Sequence, residues 1–538
     1  MEQKMMLLGD EAIARAAIDA GMSGIYAYPG TPSTEITEYV MQSKEAKSGQ
    51  VRAGWSANEK TAMEAALGMS YAGKRAMVCM KHVGLNVAAD PFINSAITGA
   101  NGGLIIVSAD DPSMHSSQNE QDSRVFGKFA LLPVLEPANQ QEAYDMVHYG
   151  FDMSESLGIP VLMRITTRLA HSRSGVVRKT VRPQNEIHLP LNPKQFILLP
   201  SIARKQYKTL LAKQTDFEQY ATDSGFNVFT EGEDKSLGII TTGIAYNYLL
   251  ENYPDRHIPY PVLKIAQYPV PYPMMERIYN ACEKILVLEE GYPVVEEALK
   301  GFLDTGKTIH GRLDGTVPRD GELNPNIVAI ALGKDNTYGK DIPSVVVGRP
   351  PSLCKGCPHI YSYNALNESL EKWGKGRVFS DIGCYTLGAF DPFNSINTCV
   401  DMGASITMAK GAADAGLLPA VAVIGDSTFT HSGITGLIDC VKDKSPVTIM
   451  ILDNETTAMT GGQDSAATGR IEEICLGVGV KKEHLFVLNP SPKYHAENSA
   501  ILKQELEYQG VSVIIPRREC LQTALRSIKE RKKSEAVK

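Results

Sequence analysis

The chain has 538 residues, of which 43% are hydrophobic and 46 are glycine, and a formal net charge of −7. That length implies several domains of a large α/β protein, and the mild negative charge excludes nonspecific nucleic-acid binding as a main activity. There is no run of about twenty apolar residues to span a membrane, nine cysteines are too sparse for a disulfide scaffold, and the opening MEQKMMLLGDEAIARAA lacks a long apolar core with a cleavage site, so a cytoplasmic protein is expected.

Residues 1–173 read as a doubly wound α/β domain. A strand over Gly24 to Tyr28 stops at PGTPSTEI, where Ser33 or Thr34 can cap the following helix. Thr31 stands in that turn. Asn58 can cap a second helix, with Ala62, Ala65, Ala66 and Met69 on its apolar face and Glu59 in its first turn. By itself such a glutamate is explained by the helix dipole. Further strands are expected over Arg75 to Met80, Gly103 to Ala109 and Pro160 to Ile165, with KHVGLN following the first of them. Arg124 ends SSQNEQDSR, and a guanidinium fork suits a carboxylate.

Residues 174–235 are rich in charge, Gln and Tyr and read as a linker with some helix. Residues 236–340 form another α/β unit: LGIITTG, a helix over Ala245 to Asn252, VLKIAQYPV, a helix near Met275 to Cys282, then KILVLEEG. No catalytic set is evident there. Asn336 to Gly348 is the link to the last domain, 341–538.

That domain carries Cys354 and Cys357 as C-x-x-C, a spacing shared by zinc and iron–sulfur sites. Cys384 and Cys520 also follow strand-like runs, whereas Cys79, Cys282, Cys399, Cys440 and Cys475 read as core thiols. An apolar run, Val421 to Ile424, breaks at Gly425-Asp426. A helix follows with Ile434, Leu437, Ile438 and Val441 on one face, and a second run, Val447 to Leu452, ends at Asp453-Asn454. In adjacent parallel strands, Asp426, Asn454 and a nearby carbonyl such as that of Thr456 would offer hard oxygen ligands to Mg²⁺, which keeps other positions for phosphate and water. Gly425 would let backbone approach a phosphate, and the helix start at Asp426-Ser427 offers free N–H groups.

The spacing from Gly425-Asp426 to Asn454 resembles the thiamine diphosphate motif. With YPGTPSTEI, SANEKTAMEAALG, KHVGLNVAADP, QNEQDSR, LCKGCPH, DIGCYTLG, GDSTFTHSG and TGGQ, the chain resembles, over nearly its whole length, the thiamine-dependent 2-oxoacid:ferredoxin oxidoreductases, and among them the large subunits of indolepyruvate ferredoxin oxidoreductases. The resemblance implies a pyrimidine-binding domain (1–173), a transketolase carboxyl-terminal-like domain (236–340) and a diphosphate-binding domain (341–538). It implies that Glu59 hydrogen-bonds the aminopyrimidine, that Thr31 faces substrate, and that Arg124 takes the substrate carboxylate. It implies cofactor contacts from Gly425, Asp426, Ser427, Asn454, Thr456 and Cys384, Mg²⁺ on Asp426, Asn454 and Thr456, and a [4Fe–4S] cluster on Cys354, Cys357, Cys384 and Cys520, with structural zinc as the competing occupant. The implied reaction is oxidative decarboxylation of an aryl 2-oxoacid to its acyl-coenzyme A ester, with electrons passing to ferredoxin and a small (beta) subunit required, in a dimer of heterodimers. Two departures stand out. The family's large subunits usually end in a ferredoxin-like domain with two C-x-x-C-x-x-C-x-x-x-C-P runs, and these 538 residues contain none; Lys355 replaces a common proline. The first departure keeps open a nonoxidative decarboxylase or lyase, and, outside catalysis, an inactive scaffold subunit.

Overall fold

Beside the strand Arg52–Trp55, which no apolar run announces, the apolar runs of the first 173 residues become the strands Gly24–Ala27, Ala76–Lys81, Leu104–Asp110 and Val161–Thr166. Every residue of the last three is buried, as a parallel sheet covered by helices on both faces requires. The computed structural model describes residues 4–192, 195–198, 200–301, 306–318, 321–335, 343–348, 352–399, 402–414 and 417–537. Part of the link expected over Asn336 to Gly348, residues 336–342, lies outside them. The chain divides into two units, Met1–Asp341 and Ile342–Lys538.

In the first unit the five strands join Val134–Leu135 and Gln267–Tyr268 in a seven-stranded sheet, ordered 267–268, 134–135, 161–166, 104–110, 76–81, 24–27, 52–55. Only the Gln267–Tyr268 edge is antiparallel. The turns after Ala27, Trp55, Lys81 and Asp110 therefore open on one edge of the sheet, and Thr31, Glu59 and Lys81 belong to that edge. Residues 174–235 do more than link: Arg182 and His188 donate main-chain N–H groups to the carbonyls of Asp19 and Ala72. Helices Pro200–Ala212 and Gln214–Asp223 follow. Val228–Thr230 then adds an antiparallel edge to a second, five-stranded sheet built mainly from residues 237–310.

The second unit is a five-stranded parallel sheet ordered 378–380, 420–425, 447–452, 512–516, 485–488. Gly425 lies level with Leu452, so Asp426 and the Asp453-Asn454 pair leave the sheet at the same height. Between the two strands the chain forms the helix Asp426–Thr428, a π-helical stretch Phe429–Gly433 and the helix Ile434–Asp443. Leu437 and Cys440 carry its buried face, while Ile438 is 47% exposed and does not. Among the described residues no helix is long and apolar enough to cross a membrane.

Two local readings are corrected. Neither Ser33 nor Thr34 caps the helix Thr34–Gln42. The Ser33 hydroxyl donates to the Gly30 carbonyl at 2.8 Å and the Thr34 hydroxyl accepts from the Gly30 N–H at 3.0 Å, so both hold the PGTP turn closed instead. Cys399 is exposed, unlike the buried Cys79, Cys282, Cys440 and Cys475, because it lies in an irregular stretch outside the sheet and its helices.

Candidate active site

In the second unit, two neighbouring strands deliver Asp426 and Asn454 to one place. One position of the Asn454 side-chain amide lies 3.2 Å from Asp426 Oδ1 and 2.8 Å from the Thr456 carbonyl oxygen. With nitrogen there, the amide donates to both; with oxygen there, the three groups make a set of three oxygens. Adjacent ligands of an octahedral Mg²⁺ with bonds of 2.0–2.1 Å are about 2.9 Å apart, so this spacing suits such an ion. Asp426 is 2% exposed, and its Oδ2 is buried without a hydrogen-bond partner. Burial first, then the Asp453 charge, pushes its carboxyl up to about 7. A buried carboxylate with an unused oxygen is what a cation repairs. The donor set thus fits the implied Mg²⁺. The Ser427 hydroxyl stands beside it, accepting from Thr457 Oγ1 at 3.0 Å.

Gly425 also meets a packing need. Its φ is an ordinary −82°, but a Cβ there would stand 2.6 Å from the Tyr385 ring. The missing side chain makes room for Tyr385, whose hydroxyl donates to Asp381. Asp381 is fully buried and also accepts from Ser405 Oγ at 2.6 Å and the Gly403 N–H at 3.2 Å. Burial raises its carboxyl to about 6, against those hydrogen bonds. DIGCYTLG carries no local sign of this buttress under Gly425-Asp426, because Gly403, Ser405 and Gly425 complete it.

Cys354, Cys357, Cys384 and Cys520 line one cavity of about 290 Å³, together with Asn454, His359 and the Gly461-Gly462 turn. Cys357 precedes the helix Pro358–Leu370, and Cys384 opens the short helix Cys384–Ala389. Cys520 donates its main-chain N–H to the Asn454 carbonyl at 3.2 Å, which ties the last cysteine to the oxygen set. Burial pushes the Cys384 thiol up to about 12 and Cys357 to about 11, and neighbouring cysteines add to both. Metal ions would reverse that direction. Among the described residues, no three of these sulfurs lie within 4.8 Å of one another. Tetrahedral zinc with 2.3 Å bonds would hold its sulfurs about 3.8 Å apart. His359, unnoticed in the sequence, is held neutral by burial, which lowers it to about 4.

In the first unit, Asn58 caps the helix Glu59–Tyr71 as expected, accepting the Thr61 N–H at 2.8 Å. Glu59 is 5% exposed. A Cβ at Gly84 would lie 2.5 Å from Glu59 Oε1, so the glycine of KHVGLN is what admits this carboxyl. Lys81, from the same motif, is 8% exposed. Its ammonium donates to the Ser116 carbonyl at 2.7 Å and hydroxyl at 3.0 Å, and Ser116 Oγ in turn donates to the Thr31 carbonyl at 3.4 Å. Burial lowers Lys81 to about 8, with Asp111 opposing. A strand ending in lysine beside the Thr31 turn was the available signal for this residue.

Arg124 does not serve as expected. It is 2% exposed and its donors are all taken: Nε by Asp122 at 2.9 Å, one terminal nitrogen by Tyr268 and Glu289 at 3.1 and 3.0 Å, the other by the carbonyls of Glu290 and Tyr292 at 3.1 and 2.9 Å. Arg164, Asp110 and Glu136 extend this buried network. A guanidinium with five committed N–H groups has none for a substrate carboxylate.

Comparison with known proteins adds to this geometry. Residues 15–213 match the thiamine-diphosphate-binding region of pyruvate flavodoxin/ferredoxin oxidoreductases, and residues 381–514 the carboxyl-terminal binding domain of thiamine pyrophosphate enzymes. The chain is 40% identical to the indolepyruvate oxidoreductase subunit IorA of Archaeoglobus fulgidus, over 96% of this chain and 86% of that one. It is 39% identical to the IorA subunits of Methanothermobacter thermautotrophicus (96% and 87% covered) and Pyrococcus horikoshii (96% and 86%). A solved 2-oxoglutarate:ferredoxin oxidoreductase from Magnetococcus marinus, with 2-oxoglutarate, coenzyme A and succinyl-coenzyme A bound, shares the fold at a TM-score of 0.50 and 15% identity, covering 62% of this chain and 65% of that one.

Proposed function

Since the chain belongs to the family of indolepyruvate oxidoreductase IorA subunits and is an oxidoreductase with thiamine-diphosphate-binding domains, we propose that it oxidatively decarboxylates aryl 2-oxoacids of the indolepyruvate kind in the cytoplasm. It passes the acyl group to coenzyme A and electrons to ferredoxin, and works with a small subunit as a dimer of heterodimers. The domains proposed are 1–173, 236–340 and 341–538, with 174–235 between the first two. Bound thiamine diphosphate supplies the carbon nucleophile and electron sink for decarboxylation.

The observation that carries this reading is the oxygen set of Asp426, Asn454 and Thr456 beside the four-cysteine cavity. Asp426, Asn454 and the Thr456 carbonyl hold Mg²⁺ for the diphosphate, with N–H groups at Ser427 supporting the phosphates. Glu59 donates a proton to the aminopyrimidine, so that its exocyclic amine acts as base. Thr31 contacts substrate, and Lys81, whose ammonium makes two hydrogen bonds to Ser116 and stands 3.8 Å from Asp111, beyond hydrogen-bond distance, faces its carboxylate with the remaining N–H in place of Arg124. Cys354, Cys357, Cys384 and Cys520 hold a [4Fe–4S] cluster, because electrons must leave singly. The test is an anaerobic assay with the small subunit, a panel of 2-oxoacids, coenzyme A and a one-electron dye. Reduction fastest with aryl 2-oxoacids supports the proposal; decarboxylation without dye reduction defeats it.

A further inference from the structure

A second group of ligand-type side chains lies in the first unit, apart from any role given above. It begins with a close approach. Gly9 donates its N–H to the Ser172 carbonyl at 3.2 Å, and a Cβ at Gly9 would stand 2.2 Å from the Leu169 carbonyl oxygen. Only glycine lets the helix Gly9–Asp19 start this near the helix Thr167–His171, and the next residue, Asp10, is thereby set beside His171. Asp10 has no exposed surface, and neither of its carboxylate oxygens has a hydrogen-bond partner. Glu35, in the first turn of the helix Thr34–Gln42, has one buried oxygen without a partner and the other 3.5 Å from His171 Nε2. One ligand atom from each of the three residues falls within 4.8 Å of the others.

Two carboxyl groups turned toward each other require a shared proton or a positive charge, which the imidazole of His171, 3.5 Å from Glu35, can carry itself or supply by holding a metal ion. The imidazole argues for a cation of a particular class: nitrogen ligands are passed over by Mg²⁺ and Ca²⁺ but suit first-row transition ions. A tetrahedral ion with bonds of about 2.05 Å separates its ligands by about 3.3 Å, close to the Glu35–His171 spacing. The side chains of Glu35 and His171 are 38% and 37% exposed, which leaves an entry path.

We propose that Asp10, Glu35 and His171 bind one divalent first-row transition ion, of the Mn²⁺ or Zn²⁺ class, that fastens three helices together. Glu35 lies four residues beyond Thr31, so the ion also steadies the PGTPS turn. The full-length chain, saturated with Mg²⁺ and thiamine diphosphate to fill the oxygen set, is titrated with Mn²⁺ and free Mn²⁺ is read by electron paramagnetic resonance. The expected result is one tight Mn²⁺ in the wild type, at least tenfold weaker in Asp10→Asn and in His171→Gln, and a Mn²⁺-dependent rise in thermal midpoint lost in His171→Gln. His171 is exposed enough that its variant folds even if Asp10→Asn does not. Identical isotherms for wild type and His171→Gln, or no tight Mn²⁺ in the wild type, would overturn the proposal and leave a shared Asp10–Glu35 proton as the explanation.

Discussion

Arg124 in the first unit and Asp426 in the second are equally hidden charged side chains, each 2% exposed. They differ in what meets them. Every donor of Arg124 ends on a carboxylate, a carbonyl or a phenol of its own unit. Asp426 keeps an oxygen with no partner and faces further oxygens at ligand spacing. We read the matched charge as part of the architecture and the one left short as part of a ligand site. Type and sequence position do not separate the two cases, whereas the count of satisfied hydrogen bonds does.

The largest effect that sharpens this contrast is expected at Glu59, the other acid assigned to the cofactor. Glu59→Gln removes the acidic proton and keeps the shape. Deuterium exchange at the thiazolium C2 of bound cofactor should slow about 10²- to 10⁴-fold, the usual range for a positioned acid or base, with Mg²⁺ dependence of binding unchanged. Wild-type exchange would remove Glu59 from the chemistry.

Arg124→Met attacks the matched charge. It strands Asp122 and Glu289, and breaking a buried pair in this way costs about 3–5 kcal/mol. Denaturant unfolding of the first unit should show that loss, while the KM for 2-oxoacid in the folded fraction stays within about threefold. A large KM change at unaltered stability would return Arg124 to the substrate.

These two residues also mark how far the sequence could be read. The parallel strands, the Asn58 cap and the strand-end positions of Asp426 and Asn454 follow from local pattern, because hydrophobic period and turn residues act over a few positions. The fate of Arg124 depends on Tyr268, Glu289 and the Tyr292 carbonyl, more than 140 residues away, and no local pattern carries that. Asp381 and Tyr385 are illegible for the same reason, since Ser405 and Gly425 give them their role. Lys81 was within reach, as a cation ending a strand beside the Thr31 turn.

A smaller effect is expected from Lys81. Burial places its ammonium at about 8, so the charged form proposed to meet the substrate carboxylate is present below that pH and lost above it. kcat/KM should fall about tenfold per pH unit above about 8, and Lys81→Arg should push the fall to higher pH. A profile flat to pH 10 in the wild type would exclude the residue.

The central claim is that the unmatched oxygens of the second unit hold Mg²⁺ for a diphosphate. Calorimetric titration of thiamine diphosphate into the full-length chain, with Mg²⁺ and then with a chelator, for wild type and Asp426→Ala, tests it most directly. The account predicts Mg²⁺-dependent binding in the wild type, weakened at least 100-fold by the chelator and by the substitution alike. Equal affinity in Asp426→Ala with Mg²⁺ present would contradict it.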